Sequence, residues 1–573
     1  MSTPVVRRAG WSDALGRLTA LLPRRADWSA MRTHPRRDLL AGVMVGLVAL
    51  PLALGFGASS GMGAGAGLVT AIVAGVVAAV FGGSHVQVSG PTGAMTVVLV
   101  PIVATYGPQA VLTVGLMAGV VLVGLALVRA GRFIRYVPVP VVEGFTIGIA
   151  VIIGLQQLPA VLGVHVHAEK VTALAGAALV VGLGSPHWPA LALAAGTVAL
   201  VLGGARLRRG VPFSLIAIVI ATGLDAGLHL GAESIGSIPS TIPAPRLPSF
   251  DHLGQLLVPA VAVAALAALE SLLSASVADG MTVGQRHDSD RELFGQGLAN
   301  LTAPVFGGIP ATAAIARTAV NVRTGATSRA AALIHAGVLL VIVLVASRWV
   351  SMIPLAALAG VLVATAVQMV RVSSVRVLLR STRGDAVVLV VTAVATVALD
   401  LVTAVVVGLV VAGGFALHQA AEAASLLESP LDPLGHEDEE RSLLDEHIVA
   451  YRLEGPLFFA AAHDFLLELS DLGGVRVVVL RMTHLSAIDA TGAAVLADTV
   501  RRLESRGVTV MLSGVRPSHE QVLTQLGVYA VLAHERHLFA TTPEAIAHAR
   551  VHAARVKHTP GDVLALETGA GRV

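Results

Sequence analysis

Residues 88–95 read Val-Ser-Gly-Pro-Thr-Gly-Ala-Met, and residues 307–314 read Gly-Gly-Ile-Pro-Ala-Thr-Ala-Ala. Each is a glycine–proline break with small residues and a threonine, set inside an otherwise membrane-like chain. Paired interruptions at matching places in two halves point to a transporter binding site. A half-helix that begins in mid-membrane aims unpaired N–H groups and a positive dipole end at an anion.

Composition sets the surroundings of the two breaks. Of 573 residues, 55% are hydrophobic and 13% charged, and the mean hydropathy is +0.79. Runs such as Leu39–Ser59 and Gln109–Val128 are long enough to span a hydrocarbon core, which predicts a polytopic α-helical membrane protein. Aromatics make up only 4%, so close helix approach falls to the 60 glycines and the abundant alanine. Cysteine is absent, which excludes disulfide and thiolate chemistry. A net charge of +3 does not suggest nucleic acid as a partner. No nucleophile–base pair, metal-ligand spacing or Walker-type loop stands out, so the sequence argues against an enzyme, against ATP-driven transport and for no cofactor. His165, His167, His187 and His229 read as scattered loop residues, and no metal site is expected.

Arginine placement organises the rest. The tail over residues 1–37 carries eight arginines and no typical cleavage pattern, so it reads as a basic cytoplasmic tail rather than a cleaved signal. Further clusters at Arg129, Arg132 and Arg135, at Arg206, Arg208 and Arg209, at Arg286 and Arg291, at Arg323 and Arg329, and at Arg371–Arg383 follow every second segment. About fourteen segments read over residues 38–420 of a cytoplasmic membrane protein, and the positive-inside rule supports an even number of them, with both termini cytoplasmic. Residues 421–446 are acidic and polar and read as a linker. Residues 447–545 alternate valine-rich strands (Val475–Leu480, Val508–Ser513) with an amphipathic helix (Gly492–Ser505), the pattern of a small α/β domain. Residues 546–573 read as a flexible tail.

Five motifs in order carry a resemblance. They are Asp38–Gly42 with Val48–Phe56, Gln87–Gly93, Glu270–Ser274 with Val277–Met281, Ala314–Asn321, and Ile488–Gly492. The chain resembles the SulP (sulfate permease) anion transporters with a C-terminal STAS domain. The resemblance implies two inverted repeats of seven segments, arranged as a core domain and a gate domain. It also implies an anion held between half-helices 3 and 10, an elevator-like movement and a homodimer in the lipid bilayer.

Two ionisable residues inside the apolar segments stand out. Glu270 lies in an alanine- and leucine-rich run, where desolvation disfavours a charged carboxylate, so it is a candidate proton carrier. Arg317, read as lying near the C-terminal end of the tenth segment, can clasp an oxyanion with two hydrogen bonds. The resemblance implies that this glutamate and arginine can pair. Candidate substrate-binding residues are Leu52, Phe56, Ser89, Gly90, Thr92, Gly93, Thr312, Ala314, Ala316 and Arg317, and candidate coupling residues are Glu270, Ser274 and Arg317. Similar sodium-coupled bicarbonate carriers have aspartate and threonine where Glu270 and Ser274 stand, threonine in place of Ile315, and no arginine at 317. Those departures favour a proton over sodium, and a divalent or larger oxyanion over bicarbonate; a sodium site at Glu270 and Ser274 is the alternative. Sulfate leads, with C4-dicarboxylates, bicarbonate uptake and anion exchange behind it, and an anion-responsive membrane sensor as a rival class. Glu143 and Asp400 read as helix caps. Similar soluble STAS regulators carry a phosphorylatable serine where Ala490 stands, leaving Asp489 as a helix cap and Thr491 as a lesser regulatory candidate.

Overall fold

The computed structural model describes residues 19–166, 168, 170–207, 211–282, 286–399, 401–422, 425–428, 443, 446–457, 475–532, 534 and 537–555. Asp400 and the acidic residues 437–440 lie outside them. Two compact units part between Ala412 and Gly413.

The first unit is helical because a backbone in hydrocarbon must satisfy its own N–H and C=O groups. Helices α1 (Pro35–Ser59), α2 (Ala64–Phe81), α3 (Gly93–Tyr106) and α4 (Pro108–Leu127) open it. They are followed by α5 (Val139–Leu162), α6 (Val171–Gly184), α7 (Trp188–Leu207) and α8 (Phe213–Leu228). Next come α9 (Leu253–Met281), α10 (Ser289–Thr302), α11 (Ile315–Arg323) and α12 (Ala330–Val350). The last are α13 (Leu355–Met369), α14 (Val372–Ser381), α15 (Arg383–Ala398) and α16 (Leu401–Glu422), which runs through the boundary between the units. Among the described residues nine helices are long and apolar enough to cross a membrane, and α3, α6 and α8 are shorter apolar ones. Residues 171–207 form the two helices α6 and α7, which part at Ser185 to His187.

Packing sorts these helices into two bundles. Helices α1 to α4 pack with α9 to α12, while α5 to α8 pack with one another and with α13 and α15. Helices α1 and α3 face the second bundle, touching α5, α8 and α13. Small residues set the spacing: a methyl on Gly67 would lie 1.9 Å from the Ala53 carbonyl oxygen, so α1 and α2 touch backbone to backbone. Asp38 pins α1 to the entry of α12, because its buried carboxylate accepts from Thr327 N at 2.7 Å, Ser328 N at 3.2 Å and Ser328 Oγ at 2.5 Å. Glu143 is not a cap; it is buried within α5 and paired with Arg371 at 2.5 Å, because α5 already begins at Val139, four residues earlier.

The second unit is an α/β sheet. Strands β3 (Ser425–Glu428), β4 (Ile448–Leu457), β5 (Val477–Arg481), β7 (Thr509–Ser513) and β8 (Leu538–Phe539) lie in that order, and β6 (Leu485–Ile488) pairs with the end of β4 beyond a register shift at Gly455/Pro456. Strands β4, β5, β7 and β8 run parallel, and β3 is antiparallel to β4. The valine run of β5 reflects burial on both faces. Val478 and Leu480 face the core closed by α17 (Ala490–Ser505), and Val477 and Val479 face α19 (Thr542–Arg555). Asp489 caps α17, accepting from Gly492 N at 2.7 Å, and Thr491 beside it is exposed. Helix α18 (Pro517–Gln525) completes the unit. His537, beside β8, is 2% exposed. Burial first, and then the neighbouring His552, His548 and His534, lower its pKa to about 4, so it is neutral at pH 7.

Asp38→Ala is expected to orphan two backbone N–H groups and the Ser328 hydroxyl in the interior. The cost is about 1–3 kcal/mol for each buried group left unsatisfied. A lower unfolding midpoint of the detergent-solubilised protein, with the site residues untouched, checks this.

Candidate functional site

The two glycine–proline breaks meet. Their extended residues form strands β1 (Ser89–Gly90) and β2 (Thr312–Ala313), paired antiparallel with Ser89 opposite Ala313 and Gly90 opposite Thr312. Helix α3 starts from Thr92 and α11 from Ala314, so two helix N-termini begin beside one short ladder. Thr92 caps α3 by accepting from Met95 N at 3.4 Å.

A ring of buried polar side chains holds the ladder. Ser271 Oγ accepts from Ala313 N at 3.1 Å and meets Thr312 Oγ1 at 3.0 Å. Gln296 donates to Ser89 Oγ at 2.6 Å, and Asn300 grips Ala311 at both its N–H and its carbonyl, each at 2.8 Å. Gln87 donates to the Ser271 carbonyl at 2.9 Å, and Asn321 to the Val86 carbonyl at 2.7 Å. Ser274 donates to Thr318 Oγ1 at 3.1 Å, which also accepts from Val88 N at 3.1 Å. The sequence reading missed Gln296, Asn300, Asn321, Thr318 and Ser271. Part of the signal was present: Glu292, Gln296 and Asn300 recur every fourth residue of α10, which puts three polar groups on one face of a helix in an apolar chain.

Arg317 is the third residue of α11, not a residue of its far end, because Thr312–Ala314 are extended and the helix starts only at Ile315. Its side chain is 1% exposed. Nη2 donates to the Pro91 carbonyl, while Nε and Nη1 have no protein partner. Gly90 makes room for it: at φ +153 a methyl there would sit 2.6 Å from Nη1. Glu270, on α9 and half-buried, accepts from Thr92 Oγ1 at 2.9 Å. No direct ion pair joins Glu270 and Arg317; the two grip successive residues of the first break, Thr92 and Pro91. The reason is the position of Arg317 in the first turn of α11, which brings its guanidinium under that break.

The remaining candidates fall around this centre. Phe56 packs at Gly93, where a methyl would lie 3.1 Å from its ring and 2.2 Å from Ile153 of α5. Leu52, one turn earlier on α1, is buried in the same apolar cluster. Ala314 is half-buried and Ala316 exposed, so one side of the α11 start is open. His335 on α12 is fully buried with neither ring nitrogen hydrogen-bonded to a side chain or backbone group. Asp489 and Thr491 belong to the second unit.

A buried cation beside two helix N-termini, in a bundle with nine described helices long and apolar enough to cross a membrane, has the geometry of an anion transporter. Residues 36–392 match the model of the sulfate permease family, and residues 444–545 match the STAS domain, so the chain belongs to the sulfate permease family. It is 35% identical over 517 residues to the "Putative sulfate transporter YvdB" of Bacillus subtilis, covering 88% of this chain and 96% of that one. It is 29% identical over 518 residues to the bicarbonate transporter BicA of Synechocystis, covering 86% of this chain and 90% of the other. The fold matches the murine Solute Carrier 26 family member A9 anion transporter with a TM-score of 0.83 at 18% identity, covering 96% of this chain and 97% of that one.

Gly90→Ala is expected to strain the backbone at φ +153 and to push the guanidinium from its place, so the variant is first checked for folding by its unfolding midpoint. Anion uptake by the purified variant should fall about tenfold or more, the equivalent of ~1.4 kcal/mol of lost interaction. Wild-type uptake in a folded Gly90→Ala protein would show that the seat of Arg317 does not matter.

Proposed function

We propose that the protein is a proton-coupled oxyanion symporter of the cytoplasmic membrane, with sulfate as its leading substrate. The observation that carries this reading is Arg317: a buried guanidinium with two unpartnered nitrogens beside the starts of two half-helices. Charge counting favours a divalent anion. A helix N-terminus acts as roughly half a positive charge, so two of them plus Arg317 amount to about +2 when Glu270 is protonated, and about +1 when it is ionised. Proton and divalent anion therefore bind cooperatively, each offsetting the cost of the other.

The hydrogen bonds support a specific route for that coupling. An ionised carboxylate only accepts, and it holds the one proton of the Thr92 hydroxyl. A protonated Glu270 can donate instead, which lets the Thr92 hydroxyl turn to the anion at the head of α3. Coupling then runs through Thr92, while Arg317 stays anchored to Pro91 throughout. Ser274 is committed to Thr318, which supports Glu270 alone as the coupling group over a sodium site made by the two. The elevator reading is supported by the placement of the centre: its polar groups lie on α9 to α11 and the first break, all in one bundle, with α1 and α3 forming the face toward the other. The identity to BicA keeps bicarbonate as the rival substrate.

Radiolabelled sulfate uptake into proteoliposomes tests this, under an inward proton gradient and then an inward sodium gradient, with succinate and bicarbonate as competitors. Proton-driven sulfate uptake is expected. Sodium-driven uptake competed only by bicarbonate would replace the proposal with sodium–bicarbonate transport.

Two variants sharpen it. Glu270→Gln keeps an acceptor for Thr92 but cannot titrate, so uptake should persist by exchange and lose its response to the proton gradient. Sulfate binding should strengthen as pH falls in the wild type and stay flat in the variant. Arg317→Lys removes the planar fork and should weaken sulfate binding by about tenfold or more. An undiminished proton response in Glu270→Gln refutes the coupling role.

A further inference from the structure

Three imidazoles converge in the second unit, away from any group used above. His548 and His552 stand four residues apart on α19, on one helix face, and His537 reaches them from the residue before β8. Among the described residues they form a cluster in which one ring nitrogen of each lies within 4.8 Å of the others. The ring centroids are 5.0 Å apart for His537–His552, 5.0 Å for His548–His552 and 5.8 Å for His537–His548. Interplanar angles of 84°, 48° and 62° splay the rings rather than stack them, so nitrogen lone pairs can point to one centre. His537 is 2% exposed, and its Nδ1 is buried without a partner. This revises the expectation of no metal site, which weighed only the loop histidines; the spacing of His548 and His552 was readable, but His537 joins them only through the sheet.

We propose that His537, His548 and His552 bind a divalent d-block cation, zinc or nickel in type. Neutral nitrogen donors without a carboxylate select such borderline cations over magnesium and calcium, which take oxygen ligands. Zinc–nitrogen bonds of about 2.0–2.1 Å need the nitrogens roughly 3.3 Å apart, so side-chain rotation has to draw them in by about 1.5 Å. Three imidazoles leave a fourth position for water or an anion. His534, whose ring lies 6.0 Å from that of His537, stands on the same side. The bound ion joins α19 to β8, a two-residue edge strand held to β7 at Leu512 and Ser513. Metal occupancy thereby fixes the end of the sheet.

The test uses the full-length protein in detergent, stripped with chelator and titrated with zinc against a chromophoric competitor. One zinc per chain is expected. His548→Gln/His552→Gln should weaken it by about 100-fold or more. His165→Gln/His187→Gln, which alters only loop histidines, should leave it unchanged. Cobalt on the wild-type protein gives a readout independent of any variant: an intense visible spectrum of low-coordinate cobalt supports the site, and the pale spectrum of hexaaqua-like cobalt overturns it. Equal zinc affinity in the wild type and His548→Gln/His552→Gln also overturns it, and recovery of binding in His552→Asp, which restores a ligating atom, separates lost ligation from lost folding.

Discussion

Everything at the centre of the membrane unit depends on a two-residue ladder. A chain that stops being helical in mid-membrane exposes N–H and C=O groups that hydrocarbon cannot satisfy. Here each break satisfies the other, through Ser89 opposite Ala313 and Gly90 opposite Thr312. The ladder is too short to stand alone, so side chains from α9 and α10 close its edges: Ser271, Gln296 and Asn300 each bond to a residue of the breaks. Losing any one would strand a buried polar group at about 1–3 kcal/mol. The same constraint sets up the proposed anion site, because pairing the extended residues makes α3 and α11 begin next to each other.

Arg317 illustrates how the site depends on its surroundings. A guanidinium 1% exposed in this setting is costly unless its hydrogen bonds are met. One is met by the Pro91 carbonyl. The other two nitrogens face no protein acceptor. The shortage is itself the chemical content of the site, since an oxyanion can supply both acceptors at once. Gly90 matters for the same reason: it is the absence of a side chain that lets the cation lie against the ladder.

Much of this could be read from the chain. The two breaks, Glu270 and Arg317 are local features, visible as a break in composition or as a charge in an apolar run. What failed was what depends on where a helix starts and on contacts far apart in sequence. The sequence reading places a break at 307–314 and Arg317 near the C-terminal end of a short tenth segment; the helix starts only at Ile315, which puts Arg317 in its first turn. The pair of Glu270 with Arg317 was expected from resemblance, whereas each bonds to a neighbouring residue of the break 178 or 226 positions away. The polar face of α10 was legible by its spacing of four, Glu292, Gln296 and Asn300, but what those groups hold lies on the two breaks and shows only in the fold. In the second unit the strands followed from valine-rich runs, while the histidine cluster needed the parallel sheet to bring β8 against α19.

The relay through Pro91 and Thr92 changes what coupling means for this centre. In a direct ion pair, protonating the carboxylate would release the arginine, and the cation would have to move to meet its anion. On the proposed coupling the arginine stays anchored to Pro91 whether or not Glu270 carries a proton, so the positive charge is set before the anion arrives. On that coupling the group that switches is a hydroxyl, which reorients its proton without moving a heavy atom. On the proposed reading, the proton therefore alters two things together: the net charge of the site and the number of donors at the head of α3. The first is long-range and weakened by salt and water, whereas the second acts only at hydrogen-bond distance. Discrimination among oxyanions of equal charge then rests with Thr92 and the backbone N–H groups around it, and the choice between one and two negative charges rests with Glu270.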